Sequence, residues 1–127
     1  MARILIIDDD ALLRGVLVEA LQLAGHEVLQ AEDGRQGVEV FRLAPTDVVV
    51  TDLIMPGQEG IETITELRRD YPRLPIIAMS GRMSHSALYL NMAKRLGAQR
   101  LLTKPFSVAD LSQAIADALS PPPADKQ

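Results

Sequence analysis

Carboxylates gather early in this chain. Asp8, Asp9 and Asp10 follow directly on four aliphatic residues in RILIIDDD, and a further carboxylate, Asp52, ends the β-branched run TDVVVTD. Ser80 stands near the end of LPIIAMSG, and Lys104 lies between Thr103 and Pro105. Adjacent carboxylates repel one another and cost folding free energy unless positive charge is held among them. Carboxylate and carbonyl oxygens suit a hard cation such as Mg2+, which takes one or two protein carboxylates and keeps several waters. A hydroxyl and an ammonium nearby suit the oxygens of a phosphoryl group. Such chemistry requires these side chains at one place, so the elements that carry them must converge.

Short aliphatic runs alternate with amphipathic stretches throughout. Strands are expected at 3–8, 26–31, 46–52, 74–81 and 100–103, where apolar and β-branched residues cluster. Helices are expected at 11–24, 33–44, 61–70, 84–97 and 107–119. In the first of these Leu13, Val16, Leu17, Ala20, Leu21 and Ala24 follow helical spacing, and Gly25 stops it. Ser107 is placed to cap the last helix. Five strands alternating with five helices imply an α/β fold, a parallel sheet covered on both faces. In such a sheet ligands bind beyond the carboxyl ends of the strands, near the point where strand order reverses. Those ends carry Asp8 and Asp9, Asp52, Ser80, and Thr103-Lys104-Pro105.

At 127 residues the chain has the length of one domain, expected over 1–120, with the polar, proline-containing stretch 121–127 as a disordered tail. A net charge of -4 gives no sign of the basic patch that direct nucleic-acid binding requires. Without cysteine, neither a disulfide framework nor a thiolate metal site is possible. No stretch has the length of a membrane span, and the short apolar run after Met1 ends in acid rather than in a cleavage site. A soluble, cytoplasmic domain is the expectation.

The motifs LIIDDD, VVVTDLIMPGQEG, IIAMSG and LLTKPF, in that order, resemble those of the response-regulator receiver domain of two-component signalling. The resemblance runs from about residue 3 to residue 119. It implies a flavodoxin-like doubly wound sheet of five parallel strands in the order 2-1-3-4-5, with five helices. It implies that Asp52 accepts a phosphoryl group from a sensor histidine kinase or phosphotransfer protein as an acyl phosphate. Asp9 and Asp52 would bind Mg2+ directly, with the main-chain carbonyl of Ile54, while Asp8 acts through water. Ser80 would hydrogen-bond a phosphoryl oxygen and Lys104 would pair with it, across a Lys104-Pro105 bond that is usually cis in the family. Output would pass to a downstream protein through the face formed by the 84–97 helix, the last strand and the last helix. A homodimer is a further partner that the resemblance allows.

Taken singly, these residues have plainer roles. Asp9 could cap a helix, Asp52 and Ser80-Gly81 could belong to turns, and Lys104 could be a solvated turn residue. Their grouping favours the functional reading. Asp10 reads as an exposed acid complementing a helix dipole. His26 and His85 read as ordinary surface residues, and Met55, Met79, Met83 and Met92 as packing residues. Three features depart from the family pattern or tune it. Leu101 stands where an aromatic residue is usual, Ile54 and Arg82 occupy positions that set phosphoryl lifetime, and the connection after Ser80 is slightly long. The rival reading is a Mg2+-dependent phosphatase or phosphotransferase with an aspartyl nucleophile, for which the sequence offers no cap segment. A flavodoxin-like FMN binder is disfavoured by an aromatic content of 3% and the lack of a Ser/Thr-rich phosphate loop.

Overall fold

Strands buried on both faces read as unbroken apolar runs, because successive side chains feed opposite layers. A computed structural model, which describes residues 1–53, 60–80, 91, 94–95 and 97–120, shows this alternation directly. The strands are β1 (Arg3–Ile7), β2 (Glu27–Ala31), β3 (Val48–Asp52), β4 (Ile76–Ser80) and β5 (Arg100–Thr103). All pairings are parallel, in the order β2-β1-β3-β4-β5. This is the flavodoxin-like doubly wound arrangement. Four helices are described, α1 (Ala11–Leu23), α2 (Gly34–Leu43), α3 (Gly60–Asp70) and α4 (Val108–Leu119). The helix expected over 84–97 and the tail over 121–127 fall largely or wholly outside the described residues, as do Ile54 and Arg82.

Odd and even positions divide the core in two. Leu5, Ile7, Val49, Ile76 and Ala78 join Val38, Phe41, Ile64 and Leu67 in one layer, beneath α2 and α3. Ile4, Ile6, Val48, Val50, Ile77 and Met79 join Leu17, Val18, Leu21, Leu111 and Ile115 in the other, beneath α1 and α4. Within β5 the split continues, with Leu101 packing on the first layer and Leu102 on the second. Aliphatic side chains of this size each stabilise the fold by roughly 1.5–3 kcal/mol when fully buried. The sheet that carries the strand ends is therefore strongly held.

Caps fix where the helices begin. Asp10, Asp33 and Ser107 each accept a hydrogen bond from the backbone amide three residues on, and Asp110 accepts one from the Ser107 amide in a capping box. Position 10, not position 9, caps α1. One helix departs from its expected pattern. Helical spacing puts Val16 on the packed stripe of α1, yet it is exposed, together with Leu12 and Leu23. With apolar residues all round this helix, the spacing alone does not choose the inner face. The sheet does so, taking Leu17, Val18 and Leu21.

Candidate functional site

The reversal of strand order lies between β1 and β3, whose carboxyl ends are neighbours. Their termini bring Asp8, Asp9 and Asp52 together, with one carboxylate oxygen from each lying within 4.8 Å of the others. Asp8 is fully buried and Asp52 nearly so, while Asp9 is exposed. Lys104 arrives from the end of β5. Its Nζ donates to Asp8 Oδ2 at 2.9 Å and to Asp52 Oδ2 at 3.2 Å. The Lys104-Pro105 peptide bond is cis, as the resemblance implied. Ser80, at the end of β4, is buried and opposite Thr103 of β5, and its carbonyl accepts the Lys104 amide at 2.6 Å.

Each buried carboxylate is held by more than its ion pair. Asp8 Oδ1 accepts the Asp10 amide at 2.9 Å, and Asp52 Oδ1 accepts the Leu53 amide at 2.9 Å. Burial lifts the Asp52 carboxyl above its ordinary range. The Lys104 charge opposes that shift and the Asp8 charge adds to it. Burial would lower the Lys104 ammonium, but its hydrogen bond to Asp8 and the charges of Asp52 and Asp8 outweigh this and raise it. Lys104 thus stays charged and supplies the positive charge that the adjacent acids demand.

Of the residues singled out in the sequence, Asp8, Asp9, Asp52 and Lys104 meet directly and Ser80 borders them through the β4–β5 pairing. Ile54 lies outside the described residues. Two further residues belong to the site without standing in its motifs as chemical groups. Arg14, in α1, donates from Nη1 to the Asp8 carbonyl at 2.6 Å and from Nε to Gln30 Oε1 at 3.0 Å. Gly60 opens α3 against the end of β3, donating its amide to Leu53 O at 2.9 Å. A Cβ there would collide with the Asp52 carbonyl, so only glycine permits this approach. A glycine closing the turn-rich stretch MPGQEG was the available signal for Gly60; for Arg14 there was none beyond its place one turn after the acids.

Three oxygen ligands of hard character, two of them on buried strand ends, fit a small divalent cation in chemistry and spacing. Lys104 beside them fits an oxyanion. The donor set contains no sulfur or imidazole, so a softer metal is poorly matched.

The response regulator receiver domain family matches residues 4–116. The transcriptional regulatory protein PdtaR of Mycobacterium tuberculosis is 37% identical over 121 residues, a span of 93% of this chain and 57% of that protein. This chain therefore spans little more than half the length of that relative. The chemotaxis protein CheY of Thermotoga maritima is 34% identical, with 89% of this chain and 93% of that protein covered. Among solved structures, a response regulator receiver domain protein from Clostridium thermocellum superposes with a TM-score of 0.87 at 31% identity, covering 94% of both chains. Fold, ordered motifs and relatives agree, and the chain belongs to the receiver-domain family of two-component response regulators.

Proposed function

We propose that this domain accepts a phosphoryl group on Asp52 from a histidine kinase or phosphotransfer protein and signals through a protein contact surface. The observation that supports this most is the convergence of Asp8, Asp9 and Asp52 at the strand ends, with the Lys104 ammonium paired to Asp8 and Asp52. Asp52 is the nucleophile. One of its carboxylate oxygens attacks phosphorus in line, the P–N bond of the donor phosphohistidine breaks, and the imidazole leaves with its electron pair. No separate base is needed, because the reacting form of Asp52 is the carboxylate. The Leu53 amide holds Oδ1 and so fixes the orientation of the group. Lys104 pairs with the incoming phosphoryl oxygens, and the Ser80 hydroxyl donates a hydrogen bond to them. Asp9 and Asp52, with the Ile54 carbonyl and with Asp8 acting through water, would hold Mg2+. When bound there, Mg2+ neutralises charge on the transferring group and the acceptor. We place the domain in the cytoplasm; among the described residues no helix is long and apolar enough to cross a membrane.

Incubation with a small acyl phosphate and Mg2+, followed by intact-mass measurement, tests the reading. One phosphoryl group should be added, and Asp52→Asn or a chelator should prevent it. Labelling that persists in Asp52→Asn would contradict the assignment. Sustained turnover of a phosphomonoester would favour the aspartyl phosphatase alternative.

A further inference from the structure

Asp8 is tied down at four points. Its amide donates to Ala31 O at 3.1 Å, its Oδ1 accepts the Asp10 amide, and its Oδ2 pairs with Lys104. The fourth tie is the Arg14 guanidinium, which donates to its carbonyl at 2.6 Å. That carbonyl belongs to the peptide unit joining Asp8 to Asp9, so its direction governs how Asp9 leaves the strand. Because Asp9 is exposed, the backbone that carries it does the orienting. A guanidinium is charged at any working pH, and its bond to a carbonyl is of the short, charge-assisted kind. Gln30 completes the brace. It lies on β2 opposite Ile6 of β1, and its Oε1 accepts Arg14 Nε at 3.0 Å, fixing the plane of the fork.

A permanent positive charge this near a cation site lowers cation affinity by simple repulsion. We infer that Arg14, braced by Gln30, is a positioning group for the cation site, setting the Asp8–Asp9 peptide so that Asp9 and Asp52 act on one ion. This rests on the reading of Asp9 and Asp52 as Mg2+ ligands. Charge and position act with opposite signs, which makes the inference testable. Were Arg14 only a nearby charge, its removal would tighten Mg2+ binding; as a positioning group, its removal weakens it. Groups that orient metal ligands from behind are typically worth about 10–100-fold in affinity.

The experiment is an amide chemical-shift titration with MgCl2 on wild type, Arg14→Met, Arg14→Lys and Gln30→Met, with metal-free urea midpoints as the folding control. Arg14→Met should bind Mg2+ about tenfold more weakly. Gln30→Met, a neutral change at an exposed position, should bind a few-fold more weakly with its fold intact. Lysine keeps the charge and reaches the carbonyl but cannot fork to Gln30, so Arg14→Lys should fall between wild type and Arg14→Met. Unchanged or tighter binding by Arg14→Met would overturn the inference, and unchanged binding by Gln30→Met would overturn the brace. A wild type that shows no Mg2+-dependent shifts would instead overturn the metal reading itself.

Discussion

At the scale of single residues, the site is a problem in charge placement. Asp8 and Asp52 are buried beside each other, and the metal-free protein relies on Lys104 between them. Removing that lysine leaves a fully buried carboxylate without its counter-ion, a loss at the low end of the range for broken buried pairs because Lys104 is partly exposed. Lys104→Met should therefore lose about 3 kcal/mol in urea unfolding with a chelator present. An unchanged midpoint would show that the pair contributes nothing. Asp52 gives a prediction of pH dependence. Its folded-state pKa is raised above the unfolded value, so the protonated form is favoured by folding. That advantage is full below the ordinary carboxylate pKa and is lost as pH rises through the folded-state value. Metal-free Asp52→Asn should accordingly match wild type in strongly acidic solution and become the more stable of the two as pH rises to neutrality. A stability difference constant with pH would contradict the burial argument. The sequence showed which acids stand at the strand ends, since that placement follows from pattern alone. It did not show Arg14 at the Asp8 carbonyl, because a contact between a helix side chain and a strand-end backbone depends on how the two pack.

At the scale of elements, strands were more legible than helix faces. β5 falls where expected, and β3 and β4 begin two residues later than their apolar runs suggest. Thr46 and Leu74 end up in the connections, Thr46 donating its hydroxyl to Val48 O and Leu74 its amide to Tyr71 O. Such local bonds are invisible to periodicity. α1 departs from its pattern at Val16 for the opposite reason, an excess of apolar residues, so that only the sheet selects the inner side. This helix also holds Gly15 in its interior, where an added Cβ would meet nothing within 4 Å. Gly15→Ala removes unfolded-state freedom without a clash and should stabilise the protein by about 0.5–1 kcal/mol in denaturant unfolding. A destabilised variant would show that the space around α1 is filled.

At the scale of the whole molecule, the ordered motifs bring the acids and the lysine together because a doubly wound parallel sheet leaves one rim for them to share. The response proposed to follow phosphorylation was less legible. Leu101 packs with the α2/α3 layer of the core and is partly buried, where the family usually carries a ring. A leucine differs little in shape and buried area between two positions, and a switch can bias only states whose interactions differ. Leu101→Ala should thus be less stable by about 2 kcal/mol or less, yet still change its amide hydrogen exchange on phosphorylation. A variant that is phosphorylated but shows no exchange response would make Leu101 the switch. The proposed function depends on one residue accepting the phosphoryl group. Borohydride reduction of the acyl phosphate followed by peptide mass mapping identifies that residue directly. The expected result is a single reduced aspartate at position 52, absent when Mg2+ is chelated; a mark on Asp8 or Asp9, or none at 52 in a phosphorylated protein, would contradict it.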